Sequence, residues 1–228
     1  FGSLKVGVIK NIQEFGISKD VINAYETSKT LLSGLGHKLV EVDFSELTSG
    51  ICSYYVIAPA ECSSNLSRFD GVKYGYRSKG AKDIANLYMN TRSDGFGDEV
   101  KKRILIGTHV LSAGFYDAYY LQAQKVRRMI KLKFENFFKD VDLIFMPTTL
   151  DQAFEKNRKS DDPNRMYKED LLTIPANLAG LPAISFPNGF KNNLPIAGQL
   201  IGKYFGEDLL LNTTNKIQEV TDWHKMTP

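Results

Sequence analysis

LKVGVI (Leu4–Ile9), the stretch Val21–Leu35 and HKLVEVDF (His37–Phe44) decide the fold class. The first run is short and β-rich. The second carries an amphipathic helical pattern that stops at Gly34 and Gly36, and the third alternates again through Leu39, Val42 and Phe44. Strand, helix and strand in that order form a βαβ unit, and the connection is long enough for a right-handed parallel crossover. Farther along, VDLIFM (Val141–Met146) is a continuous apolar run ending in Pro147-Thr148-Thr149, the pattern of a strand covered on both faces. Ala183–Pro187 and Gln199–Ile201 read as short strands. The expected class is α/β, a mixed twisted sheet flanked by helices.

The helical part is read from the remaining periodic segments. Cys52–Leu66 is apolar enough for a buried helix, which Pro59 would kink or end. The loop FDGVKYGYRSKG (Phe69–Gly80) is too long and too aromatic for a plain connector. Asp98–Ser112 places Val100, Ile104 and Gly107 on one helical face behind an acidic first turn. After a break at Gly114, Phe115–Phe138 is expected to be the longest helix, with Phe115, Tyr119, Val126, Ile130, Phe134 and Phe137 in one buried stripe. Gln152–Asn164 reads as a mobile polar loop, Met166–Gly180 as a helix interrupted at Pro175, and Glu207–Val220 as a closing helix.

Composition narrows the function. The chain has 228 residues, 43% hydrophobic and 24% charged, which fits a globular protein and argues against disorder or a disulfide scaffold. A net charge of +3 does not by itself demand nucleic acid or anionic lipid. Cys52 and Cys62 lack the spacing of a zinc site and read as reduced packing thiols. No apolar run reaches the roughly 20 residues of a membrane span, and no signal peptide is visible, so a cytoplasmic or organelle-matrix location is expected. The chain opens on Phe1 rather than Met and enters a buried strand almost at once, so a preceding segment is expected.

Local motifs exclude more than they assign. There is no GxSxG elbow, GxGxxG, Walker loop or HExxH, and His37, His109 and His224 have no evident nucleophilic partner. SDGFG (Ser93–Gly97) reads as a turn, and His109 as a satisfied helix histidine. Lys125, Arg127, Arg128, Lys131 and Lys133 read as a solvated helix face, the alternative being contact with RNA or with another protein of a complex.

Three longer stretches carry a resemblance: Tyr54–Ser78 (YYVIAPAECSSNLSRFDGVKYGYRS), Ser93–Arg128 and Asp161–Phe190. Together they resemble the A subunits of glutamyl-tRNA(Gln) amidotransferases, a branch of the amidase signature family. The resemblance runs from about Leu4 to the end and corresponds to the C-terminal portion of a single amidase domain over residues 1–228. It implies the glutamine-hydrolysing member of a heterotrimer, which passes ammonia to the B member, where Glu-tRNA(Gln) becomes Gln-tRNA(Gln). The B and C subunits, glutamine and Glu-tRNA(Gln) are the implied partners, with no membrane. No cofactor is implied in this chain, while ATP and Mg2+ are implied at the B subunit. The family cleaves its amide with a Lys, a cis-Ser and a nucleophilic Ser in a Gly-Ser-rich segment that this sequence lacks. Its Ser63-Ser64 pair is flanked by Cys62 and Asn65 instead of glycines.

Glutamine presents an α-carboxylate and an α-ammonium, so its pocket requires a cation and an anion, and the planar fork of arginine suits the carboxylate. The resemblance places that arginine at Arg103, the carboxylate at Asp170, a third contact at Tyr54, and Gln199 near the site. Two departures stand out: Leu150-Asp151-Gln152 follows the PTT run where the family is richer in proline, and Ala197 stands where PIGLQ has glycine. If the backbone there needed positive φ, the loop would shift to use Gly198. The alternatives are the C-terminal part of a generic amidase and a non-catalytic docking scaffold.

Overall fold

The computed structural model describes residues 2–155 and 169–228. Its elements are β1 (Lys5–Ile9), α1 (Lys19–Gly34), β2 (Lys38–Val42), α2 (Gly50–Leu66), α3 (Ile84–Gly95), α4 (Asp98–Val110), α5 (Leu121–Asp140), β3 (Leu143–Pro147), α6 (Ile174–Ala179), β4 (Ala183–Lys191), β5 (Leu194–Gly202) and α7 (Glu207–Glu219). The chain divides into two compact units, one of residues 2–51 and 127–228 and the other Cys52–Val126.

The first unit is built on a five-stranded sheet in the order β2-β1-β3-β5-β4. The expected βαβ unit is its opening: β1 pairs parallel with β2 and also with β3. Ser18 caps α1 by accepting from Val21 N at 3.4 Å, and buried Val21, Tyr25 and Leu32 form its inner face. Every residue of β3 is buried, as its unbroken apolar run required. Tyr25 stacks on Phe145 at 5.2 Å, and its hydroxyl accepts from Ile9 N at 2.8 Å, which ties α1 to the sheet.

β5 joins the sheet antiparallel to β3 and pairs with β4 through a tight hairpin. The two strands run longer than the short strands expected from sequence. Asn192 and Asn193 take φ of 52° and 62°, the left-handed pair that a two-residue hairpin turn needs. The Ala197-Gly198 expectation is corrected here. Neither residue has positive φ, and β5 keeps its ladder register through both. Gly198 is needed for space instead, because a Cβ there would lie 2.7 Å from the Phe145 ring.

Three helical expectations are also corrected. Pro175 does not interrupt a helix but stands in the first turn of α6, where its missing N–H costs nothing; residues 166–168 of that expected helix lie outside the described residues, as does most of the expected loop Gln152–Asn164. Pro59 lies inside a continuous α2. The buried stripe of α5 holds at Ile130, Phe134 and Phe137 but not at Phe115 and Tyr119, which are exposed. A single π turn at Tyr116–Tyr120 inserts extra rotation before α5, and Phe115 packs instead between His109 and Tyr119.

Of the basic residues on α5, Arg127 donates to Leu178 O at 2.9 Å, Lys133 pairs with Glu46 at 3.2 Å, and Lys131 lies over the Tyr204 ring. That face is therefore partly committed to holding the first unit together. Cys62 is half-buried, but Cys52 is exposed, so the packing role expected for it does not hold; both thiols are free. Among the described residues no helix is long and apolar enough to cross a membrane.

Candidate functional site

Two of the four expected site residues meet in the second unit. α2 supplies Tyr54 and α4 supplies Arg103, and the sequence brings these helices together through a missing side chain. A Cβ on Gly107 would lie 1.9 Å from Pro59 O and 2.7 Å from Ser63 Cβ, so α4 rests with its backbone against α2. The Ser63 and Thr108 hydroxyls share a hydrogen bond of 2.9 Å beside this crossing. Arg103 lies about one helical turn before Gly107 on the same face.

The Arg103 guanidinium is held from two sides. Its Nε donates to Glu99 Oε1 at 3.0 Å, one turn back along α4, and its Nη1 reaches Tyr54 Oη at a long 3.4 Å. The Tyr54 hydroxyl first, and then Glu99, hold its pKa above the ordinary arginine value. An arginine has five N–H donors in a fixed fork, so these contacts leave three for a ligand. The side chain is 35% exposed, enough to meet a carboxylate from solvent without giving up either partner. Tyr54 is in turn set edge-on against Tyr55, with ring centroids 5.1 Å apart. In the sequence Arg103 looks like any charged residue on an amphipathic helix; the crossing that orients it is a long-range contact.

The other two expected residues belong to the first unit. Gln199 lies on β5, between β3 and β4, and is 3% exposed. Its Nε2 donates to Pro147 O at 3.1 Å and Leu172 O at 2.9 Å, so both amide hydrogens serve the backbone. Gln199 thereby fastens the end of β3 to the segment that carries Asp170. The Asp170 carbonyl accepts from Thr173 N at 3.2 Å and Ile174 N at 3.0 Å, which starts α6, and the residue is half-buried.

A hydroxyl pair beside Gln199 is not anticipated by the sequence. Thr148 Oγ1 and Ser185 Oγ are 3.0 Å apart at the end of β3, and Thr148 N donates to Ala197 O at 2.9 Å. Its one sequence signal is the polar PTT after a buried apolar strand, since ligands of open α/β sheets gather outside the carboxyl ends of strands. Among the described residues no three His, Cys, Asp or Glu side chains are grouped to hold a metal ion.

Comparison with known proteins identifies the family. The amidase family model matches residues 2–211. The A subunit of glutamyl-tRNA(Gln) amidotransferase from Coxiella burnetii is 51% identical over 225 residues, 99% of this chain and 47% of that protein. Its counterpart from Hahella chejuensis is 51% identical over 98% of this chain and 46% of its own length. The crystal structure of the glutamyl-tRNA(Gln) amidotransferase A subunit from Thermotoga maritima superimposes with a TM-score of 0.68 at 39% identity, covering 92% of this chain and 40% of that one. A 6-aminohexanoate cyclic dimer hydrolase shares the fold, with a TM-score of 0.70 at 19% identity over 100% of this chain and 47% of that one. The chain spans about half the length of the curated relatives it matches. The α/β expectation and the resemblance to amidotransferase A subunits are both borne out, and the chain belongs to the amidase family.

Proposed function

We propose that this chain is the C-terminal portion of the glutamine-hydrolysing subunit of a tRNA-dependent amidotransferase. The observation that carries the reading is the Arg103–Tyr54 pair, fixed by the Pro59–Gly107 crossing in a chain 51% identical to such subunits. Hydrolysis of the glutamine side-chain amide consumes one water and yields glutamate and ammonia. In this reading Arg103 takes the substrate α-carboxylate through its remaining donors, Tyr54 positions the guanidinium, Asp170 takes the α-ammonium, and Gln199 sets the backbone around Asp170. The two units carry these groups separately, so a double-mutant cycle between Arg103 and Asp170 in the complete enzyme tests whether they act on one substrate.

The covalent step belongs to the Lys, cis-Ser and nucleophilic Ser of the family, in a Gly-Ser-rich segment that this sequence lacks. Loss of even one member of such a unit removes most of the rate, so the 228-residue chain by itself is proposed to be inactive. The B and C subunits would complete a heterotrimer, with ATP, Mg2+ and Glu-tRNA(Gln) handled at the B subunit, in a cytoplasmic or organelle-matrix setting. The experiment is a comparison of amide substrates on the full-length protein in complex with its partners. Glutamine should be hydrolysed at least about tenfold faster than simple amides without an α-amino acid end, one charge-assisted contact being worth about 1.5–3 kcal/mol. Equal rates would favour a generic amidase, and glutamine turnover by the 228-residue chain would refute the assignment of the nucleophile.

A further inference from the structure

The aromatic loop between α2 and α3 has no part in the chemistry proposed above, yet it carries a run of exposed cations and rings in the second unit. Between Arg68 and Lys82 stand five cations, Arg68, Lys73, Arg77, Lys79 and Lys82, against the single carboxylate of Asp70. This excess of four exceeds the net +3 of the whole chain. All five cations are exposed, and among the described residues none has a carboxylate at ion-pair distance. Asp70 is spent on the backbone, accepting from Val72 N at 2.8 Å and Lys73 N at 3.4 Å.

Three rings of the same loop are exposed with the cations. Phe69 is 38% exposed, Tyr74 48% and Tyr76 56%, whereas rings that serve only a core are covered. The exposure does not come from a slack loop. Gly71 turns at φ 76° against Thr91, where a Cβ would lie 2.7 Å from Thr91 Oγ1. Thr91 Oγ1 also accepts from Ser78 N at 3.1 Å, and Arg92 Nη1 donates to Leu66 O at 2.8 Å and Phe69 O at 3.1 Å. Phe69 braces Tyr74 edge-on at 5.1 Å, and Tyr76 lies against Gly95 of α3. At the C-terminal end of the loop, Arg77 and Lys79 line an open cleft of about 710 Å³ with the exposed side chain of Ile84 on its wall.

We propose that this loop, Arg68–Lys82, is a contact surface for single-stranded RNA. Outward rings on a pinned backbone offer stacking faces to bases, and cations beside them neutralise phosphates. Cations and rings alternate along the loop, from Arg68 and Phe69 through Lys73, Tyr74, Tyr76 and Arg77, as phosphates and splayed bases do along an unpaired strand. The basic face of α5 is a weaker candidate because Arg127, Lys131 and Lys133 already have partners within the first unit. The inference rests on the proposed function only in naming the strand's source, an unpaired segment of a transfer RNA whose acceptor end is handled at the B subunit.

The test uses the full-length protein in complex with its partners, and two probes: a tRNA(Gln) transcript and a labelled single-stranded oligoribonucleotide of about 12 nucleotides, near the site sizes such surfaces cover. Replacing Tyr74 and Tyr76 together by Leu should weaken both probes roughly 10- to 100-fold. Replacing Lys73, Arg77 and Lys79 together by Gln should lower the salt slope of binding by about 2, at roughly 0.7 per single-strand phosphate contact. Glutamine hydrolysis measured without RNA should stay within about twofold of wild type in both variants, since the loop does not contact Arg103 or Tyr54 through any described bond. Unchanged affinity and unchanged slope in the assembled variants overturn the proposal. Failure of either variant to bind its protein partners, with RNA affinity retained by the fraction that does assemble, also overturns it and makes the loop a protein-docking surface. A wild-type assembly that binds RNA through this loop but hydrolyses no glutamine would sink the functional reading and leave the RNA surface standing.

Discussion

Gly107→Ala is the smallest change that should separate the two helices of the arginine site. The added Cβ would lie 1.9 Å from Pro59 O, while ordinary contact begins near 3.4 Å, so α4 must move by about 1.5 Å or α2 must give way. Neither obstacle is a flexible side chain: the nearest atoms are Pro59 O and Pro59 C. Alanine would return up to about 1 kcal/mol of helix propensity, whereas overpacking a filled crossing costs typically about 1–3 kcal/mol and more when backbone must shift. The expected result is a net loss of about 1–3 kcal/mol in the stability of the second unit. A shift of that size also breaks the 3.4 Å contact between Arg103 and Tyr54, which is already at the limit of a hydrogen bond. Losing one hydrogen bond to a charged group is worth about 1.5 kcal/mol at the low end, or about tenfold in glutamine KM. Denaturant unfolding of the full-length protein and steady-state kinetics of the assembled enzyme read these two effects, with exposed Ile106→Ala as the control. Wild-type stability together with a wild-type KM for glutamine in Gly107→Ala would show that the crossing of α2 and α4 accommodates a Cβ and does not orient Arg103.

Two further outcomes follow from buried polar groups. Gln199→Leu removes the side-chain donors to Pro147 O and Leu172 O, leaving two buried carbonyls short; a loss of about 2–4 kcal/mol is expected in urea unfolding, and an unchanged midpoint would show that the amide is not structural. His37 is buried and its Nδ1 accepts from Leu4 N at 3.3 Å, so the neutral ring is the one that fits. Burial first, and then the charge of Lys216, lower its pKa from 6.5. A histidine lowered on folding contributes stability that is present above its unfolded value and is lost as pH falls through the folded one. Wild type should therefore lose stability faster than His37→Asn below about pH 6.5, and parallel curves for the two proteins would show that His37 is not held neutral by the fold.

How far the sequence shows this in advance depends on whether the determining contact is local. The βαβ opening and the buried β3 are legible because periodicity and an unbroken apolar run report burial directly. The β4–β5 hairpin is less so: Pro187 and Pro195 argue against long strands, but Pro187 sits on the edge strand β4 next to an irregular register, and Pro195 lies beyond the part of β5 that pairs with β3. The Asn192-Asn193 turn between them is the one local sign of the hairpin. Phe115 and Tyr119 have the right spacing for α5, and only the π turn takes them out of its stripe. In the site, the roles of Arg103 and Asp170 come from the family resemblance. What orients Arg103 depends on Gly107 meeting Pro59, which are 48 positions apart in the chain, and no pattern in either helix announces it.

The glutamine pocket is tested by Arg103→Ala in the full-length protein in complex with its partners, assayed for Gln-tRNA(Gln) formation with glutamine and with free ammonia as nitrogen donors. If Arg103 holds the glutamine α-carboxylate, glutamine-dependent kcat/KM should fall roughly 10- to 150-fold, the equivalent of about 1.5–3 kcal/mol, while ammonia-dependent formation stays within about twofold of wild type. An equal loss with both donors, or no loss with glutamine, would contradict the assignment.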